Sequence, residues 1–204
     1  HPVKHVAAGE GGAVTTDDPS LAEAMTVFRN HGITTDHRQR RNVGTWEYGM
    51  VQLGFNYRLS DIHAALAGSQ LKRLPKNVER RQELAARYDS AFAGSKVVKP
   101  LVTASGVSHA YHIYVIRLRL ERLSVDRGQV FAALRAENIG VNVHYMPVPW
   151  HPYYRELGYE RGAWPAAESA YERMLTLPLY AGMTDADQDQ VIEAVNKVIS
   201  AYAL

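Results

Sequence analysis

Lys4 carries a primary amine shortly ahead of a glycine-rich run, Gly9-Glu10-Gly11-Gly12. A lysine amine can condense with an aldehyde, and partial desolvation beside a cation depresses its pKa and makes it nucleophilic. By spacing alone, however, Lys4 reads as an ordinary exposed lysine next to a turn. Asn56 offers an amide, and Arg58 a guanidinium fork that matches phosphate oxygens. Taken singly they read as a turn residue capping a backbone group and as half of a surface ion pair. His144 and Tyr145 stand at the end of an alternating run, on or just after a strand, where a histidine reads as half-buried. His1 stands just ahead of Lys4. His109 and His112 form no ligand set with any carboxylate at useful spacing, so no metal is expected.

Composition narrows what these residues can serve. The chain has 204 residues with 23 Lys+Arg against 21 Asp+Glu, a net charge of +2, so it does not have the basic excess of a nucleic-acid binder. The local basic clusters, Arg38, Arg40 and Arg41, then Lys72, Arg73, Lys76, Arg80 and Arg81, read as solvated faces. At 46% hydrophobic and 22% charged the chain can bury a core, which excludes simple disorder. With no cysteine there is no disulfide framework, thiolate nucleophile or zinc knuckle. No apolar run approaches the ~18 residues of a membrane span. The start carries neither the basic nor the apolar region of a signal peptide. It also lacks Met and enters a glycine-rich turn at once, which suggests a piece of something longer.

The elements that must position the site are read from caps and periodicity. Residues 13–16 read as a short strand. Asp18-Pro19 opens a helix bearing Leu21, Met25 and Phe28, with Gly32 where its C′ residue is expected. Residues 33–53 lack periodicity and read as a long loop. Ser60 caps a helix rich in small residues that Pro75 interrupts, and Val78, Ala85, Tyr88 and Phe92 stripe a further helix ending near Gly94. Ile116, Leu118 and Leu120 alternate with Arg117 and Arg119 as a strand. Asp126 opens a helix, and a second strand is expected over 141–145. The prolines of 146–154 predict irregular backbone, Pro165 begins a short helix, and Thr184 caps a last helix faced by Val191, Ile192, Val195, Val198 and Ile199.

Four phrases, taken in order, are more specific than any one residue. They are His1-Pro-Val-Lys4-His5 with Gly9-Glu10-Gly11-Gly12-Ala13-Val14-Thr15-Thr16; Gly54-Phe55-Asn56-Tyr57-Arg58-Leu59-Ser60-Asp61; Gly140-Val141-Asn142-Val143-His144-Tyr145-Met146-Pro147; and Leu177-Pro178-Leu179 with Met183-Thr184. From residue 1 to the C-terminus the chain resembles the DegT/DnrJ/EryC1/StrS family of pyridoxal-phosphate-dependent sugar aminotransferases. Where relatives often carry two threonines, this chain has Ala7-Ala8. The resemblance implies Lys4 as the Schiff-base lysine, and Asn56 and Arg58 as cofactor-binding groups reaching across a homodimer interface. It further implies substrate contact at His1, Tyr57, His144 and Tyr145. Within the family the phrases are most like the branch serving pseudaminic acid synthesis. That implies a cytoplasmic enzyme moving an amino group, from glutamate, to C4 of a UDP-linked 4-keto-6-deoxy-N-acetylhexosamine, with no nucleic-acid or membrane partner.

The family's carboxylate for the pyridinium nitrogen, its ring-stacking group and its phosphate turn precede the cofactor lysine. The expectation is therefore an α/β chain, the C-terminal part of a fold type I aminotransferase, with 1–94 the remainder of the large domain and 95–204 the small domain. Three alternatives stay open. One is amination of another nucleotide-linked keto-sugar, and one is a non-enzymatic dimerisation or regulatory module. The third, a dehydratase relative, would replace Lys4 by histidine.

Overall fold

The structure, a computed structural model, describes residues 3–35 and 37–204, with backbone only at 37 and 38; His1, expected to touch substrate, lies outside the described residues. The chain divides into two compact units, His1–Leu74 and Pro75–Leu204. The boundary expected near residue 95 rests on the change in sequence character alone. The second unit nevertheless begins at Pro75, because the helix turns after it supply core side chains to that unit.

In the first unit, α1 spans Pro19–Phe28. Its cap is as expected: the Asp18 carboxylate accepts from the N–H groups of Ser20 and Leu21, and Pro19 occupies the first helical turn. Within the stretch expected to be a loop, α2 spans His37–Val43. α3 is a single helix, Asp61–Phe92, that contains Pro75 rather than ending there. A proline deletes one backbone hydrogen bond and crowds the preceding turn, which the turns on either side outlast. Residues 13–16 form no strand, since period two without a hydrogen-bonding partner does not make one. Among described residues of this unit Ala8 is the only buried apolar side chain, and Leu21, Phe28, Trp46, Ile62 and Leu71 are exposed.

The second unit carries the core. β1 (Val98–Pro100), β2 (Tyr114–Leu118) and β3 (Met174–Leu177) form an antiparallel sheet in that order. Alternation in β2 turns Tyr114, Ile116 and Leu118 inward and leaves Arg117 outside, as the sequence pattern predicts. Against the inner face lie α4 (Arg127–Ala136), α7 (Asp185–Tyr202) and the second half of α3, contributing Leu84, Tyr88, Phe92, Val130, Leu134, Val195 and Val198. Capping boxes at Asp126/Gln129 and Thr184/Asp187 fix the starts of α4 and α7. Shorter helices, α5 (Pro152–Glu156) and α6 (Pro165–Arg173), occupy the proline-rich region and the approach to β3.

Two expectations change here. The strand expected over 141–145 contracts to one antiparallel bridge, Asn142 to Thr176, with N–H to O distances of 3.1 and 2.8 Å. That bridge sets it beside β3, a strand that follows α6 without a turn residue to announce it. Arg80 and Arg81 are also not simply solvated. Arg80 pairs with Asp185 and Glu83. Arg81 donates to the carbonyls of Tyr111, His112 and Leu179 at 3.0, 3.1 and 3.0 Å.

The buried phenols give this unit a defined alkaline limit. Burial, then a 2.6 Å hydrogen bond to Asp89, raises the pKa of Tyr114 far above the ordinary phenol value, and burial also raises Tyr88, which donates to the Pro178 carbonyl. A raised pKa means stability that is complete below the unfolded value, about 10, and is lost as pH climbs past it. Urea unfolding at about pH 8 and about pH 11 should show that loss, and Tyr114→Phe should make it shallower. The same variant should cost about 1–3 kcal/mol at neutral pH, because Asp89 loses its donor.

Candidate active site

Lys4 sits exposed in a turn at the head of the first unit. The loop after it lies against the start of α3. Gly9 holds φ +77°, and a Cβ there would stand 3.2 Å from His63 Nε2. A Cβ on Gly11 would stand 2.9 Å from Leu59 Cδ1. His63 is fixed from its other side, with Nδ1 hydrogen-bonded to Ser60 Oγ at 3.0 Å, while Ser60 Oγ also accepts the His63 N–H and so caps α3. Two of the sequence phrases, around Lys4 and around Ser60, thus meet in space. Ala8 is buried as a methyl group needing no partner.

Asn56, Tyr57 and Arg58 lie on an extended segment laid along the end of α1. Phe55 N–H donates to Phe28 O at 2.8 Å, Tyr57 N–H to Arg29 O at 2.9 Å, and His31 N–H to Phe55 O at 3.0 Å. Asn56 bridges Asn30. Tyr57 is exposed and stacks on Phe55, ring centroids 4.7 Å apart. Arg58 donates through Nη1 to Asn30 Oδ1 at 2.7 Å. An amide oxygen orients the guanidinium without cancelling its charge. Arg58 and Arg29 line a concavity of about 380 Å³ with Glu23, Thr26, Asn30 and Gln39. By residue type, the amine of Lys4 suits a carbonyl carbon, and the amide of Asn56 and the oriented guanidinium of Arg58 suit phosphate oxygens, which is the chemistry a phosphorylated aldehyde needs.

His144 and Tyr145 belong to the second unit. His144 Nδ1 is hydrogen-bonded to Thr176 Oγ1 at 2.8 Å, so the bridge between Asn142 and Thr176 also sets the imidazole. Tyr145 is exposed and meets the His144 ring edge to face, centroids 4.6 Å apart. Sequence reasoning did not supply Thr176, Asn30 or the Ser60–His63 pair. Only the last carried a signal, a serine N-cap followed three residues later by histidine.

A two-unit α/β chain with these phrases on these elements has the C-terminal architecture of fold type I sugar aminotransferases. The model of the DegT/DnrJ/EryC1/StrS aminotransferase family matches residues 1–196, and the chain belongs to that family, whose cofactor is pyridoxal 5′-phosphate. The chain is 40% identical over 200 residues to spore coat polysaccharide biosynthesis protein SpsC of Bacillus subtilis, covering 96% of this chain and 51% of SpsC. It superposes on Helicobacter pylori PseC, an aminotransferase involved in the biosynthesis of pseudoaminic acid, with a TM-score of 0.86 and 28% identity over 98% of this chain and 52% of PseC. It superposes likewise on the PMP-form of the putative sugar aminotransferase Spr1654 from Streptococcus pneumoniae, with a TM-score of 0.81 and 31% identity, covering 93% and 47%. The chain spans about half the length of the relatives it matches. Among the described residues no helix is long and apolar enough to cross a membrane.

Proposed function

We propose that this chain carries the cofactor lysine of a nucleotide-sugar aminotransferase, with Lys4 in that role. The observation that supports the reading is that Lys4 stands exposed on a turn whose glycine loop abuts the start of α3, within the stretch that the family model matches. Lys4 Nζ would hold the cofactor covalently. Asn56 and Arg58 would bind its phosphate, from the partner subunit of a homodimer. The cofactor supplies the electron sink that the side chains lack. The Lys4 amine would also accept and return the proton that amino transfer exchanges. Tyr57, His144 and Tyr145 would contact the sugar substrate, and residues 1–94 and 95–204 would belong to the large and small domains.

The acceptor we propose is a UDP-linked 4-keto-6-deoxy-N-acetylhexosamine aminated at C4, with glutamate as donor, in the cytoplasm. The likeness to PseC supports the sugar. The exposed apolar side chains of the first unit, Phe55 and Tyr57 among them, support a homodimer that covers them. Borohydride reduction of the complete protein with pyridoxal phosphate, followed by peptide mapping, tests the central assignment. The expected pyridoxyl adduct is on Lys4, and an adduct on another lysine, or none, removes it.

A further inference from the structure

Among the described residues two non-aromatic polar side chains are buried, Gln188 and Thr176. Gln188 is satisfied at both ends, donating to the Leu84 carbonyl at 2.6 Å and accepting from Arg87 at 3.0 Å. Thr176 lies within β3 between Leu175 and Leu177, which both belong to the core. Alternation therefore puts its side chain on the opposite face, with Met174. It is nevertheless only 5% exposed, whereas Met174 is half-buried. A strand position so enclosed is ordinarily apolar, and valine would fill the same space with no hydroxyl to satisfy. The hydroxyl has one hydrogen-bond partner among the described residues, Nδ1 of His144 at 2.8 Å.

Two directions are open to that bond. If Nδ1–H donated, the hydroxyl hydrogen of Thr176 would be enclosed with no acceptor among the described residues. A buried donor left unpaired costs its full desolvation, more than an unused oxygen lone pair does. The bond therefore runs from the hydroxyl to Nδ1. In a neutral imidazole the accepting nitrogen is bare and the other carries the proton. Nε2 of His144 then bears the N–H. It has no hydrogen-bond partner among the described residues and is not sealed from solvent. The ring is also held in place. Asn142, two residues ahead, exchanges both backbone hydrogen bonds with Thr176, and Tyr145 stands edge-on against the imidazole.

We infer that Thr176 is a positioning residue for His144, its hydroxyl holding the neutral imidazole in the tautomer that offers an N–H at Nε2 rather than a lone pair. Its bearing on the reaction rests on the reading that His144 contacts the sugar substrate. An N–H there suits an oxygen of that substrate, whereas the opposite tautomer would set one lone pair against another. Thr176 is enclosed and acts only through the imidazole.

Solid-state nitrogen-15 spectra of the complete protein, labelled at its histidine rings and held at about pH 9, above the ordinary imidazole range, read the tautomer directly. The His144 signals are those that His144→Gln removes. The parent should show Nε2 protonated and Nδ1 bare and hydrogen-bonded. Thr176→Ser keeps the hydroxyl and should keep that pattern. Thr176→Val should move the Nδ1 signal toward that of a free imine nitrogen and let the Nδ1–H form appear. A protonated Nδ1 in the parent, or a Thr176→Val spectrum identical to the parent's, overturns the inference. The first of these needs no variant, so it decides even where Thr176→Val fails to fold. Kinetics address the substrate reading separately. Thr176→Val should raise KM for the keto-sugar about five- to tenfold with kcat within about twofold, and Thr176→Ser should hold KM within about twofold of the parent. A shifted tautomer with unchanged KM removes His144 from the substrate contacts and upholds the role of Thr176. An Nδ1–H parent whose Lys4 still takes the pyridoxyl label sinks the role of Thr176 alone.

Discussion

Lys4→Ala is expected to abolish amino transfer, lowering turnover by about a thousandfold or more, because covalent attachment and proton transfer are lost together. Lys4→Arg should be as inactive. A guanidinium stays charged at any working pH, so it has no lone pair for a carbonyl and no proton to exchange. Neither variant should unfold the protein, since the Lys4 side chain is exposed on a turn and fills no core position. Thermal unfolding should therefore stay within a degree or two of the parent while borohydride trapping disappears, an order-of-magnitude expectation for a surface substitution of within about ±0.5 kcal/mol. Turnover within about tenfold of the parent in Lys4→Ala would show that another group does this work.

How far the site was legible depends on how far apart its parts lie along the chain. Caps are local, and Asp18, Ser60, Asp126 and Thr184 stand where their side-chain chemistry implies. Lys4, Asn56 and Arg58 stand out as candidates because each sits in a phrase with fixed neighbours. The groups that hold site residues in place were not found, because each acts at long range. Thr176 meets His144 across 32 residues and Asn30 meets Arg58 across 28. Arg81 reads as one more charge on a basic helix face, yet its guanidinium ties three backbone carbonyls from two distant segments. Burial lowers its pKa, as expected for a cation drawn out of water to serve neutral acceptors. The strands failed for the same reason: periodicity names a side for each residue, but residues 13–16 and 141–145 needed partners that periodicity does not supply.

The segment bearing Asn56 and Arg58 hangs on two glycines, and replacing either should do the largest structural damage in the first unit. Gly32 holds φ +72°, a left-handed conformation costly to any β-branched residue, and a Cβ there would fall 1.7 Å from the Gln52 carbonyl oxygen. A Cβ on Gly54 would fall 2.3 Å from Gly32 N and 2.6 Å from Phe28 O. These obstacles are backbone atoms, so rotamer changes cannot relieve them. The chain must withdraw, breaking the hydrogen bonds from Phe55 to Phe28, Tyr57 to Arg29 and Val51 to Gly32. Strain of about 1–3 kcal/mol for the left-handed residue, with the lost hydrogen bonds at about 1 kcal/mol each, puts Gly32→Val at roughly 4–6 kcal/mol. With so little buried apolar surface in this unit to offset it, the loss should be local melting. The core of the second unit, around Tyr88, Phe92 and Ile116, uses neither glycine. Hydrogen exchange read by peptide should therefore show protection lost over 27–57 in Gly32→Val and Gly54→Val and kept in β2 and α7, with pyridoxal phosphate affinity falling as the Asn56 and Arg58 donors lose their backbone. Unchanged exchange over 27–57 would mean that the segment can part from α1 at no cost, and that the two glycines are not what holds those donors in place.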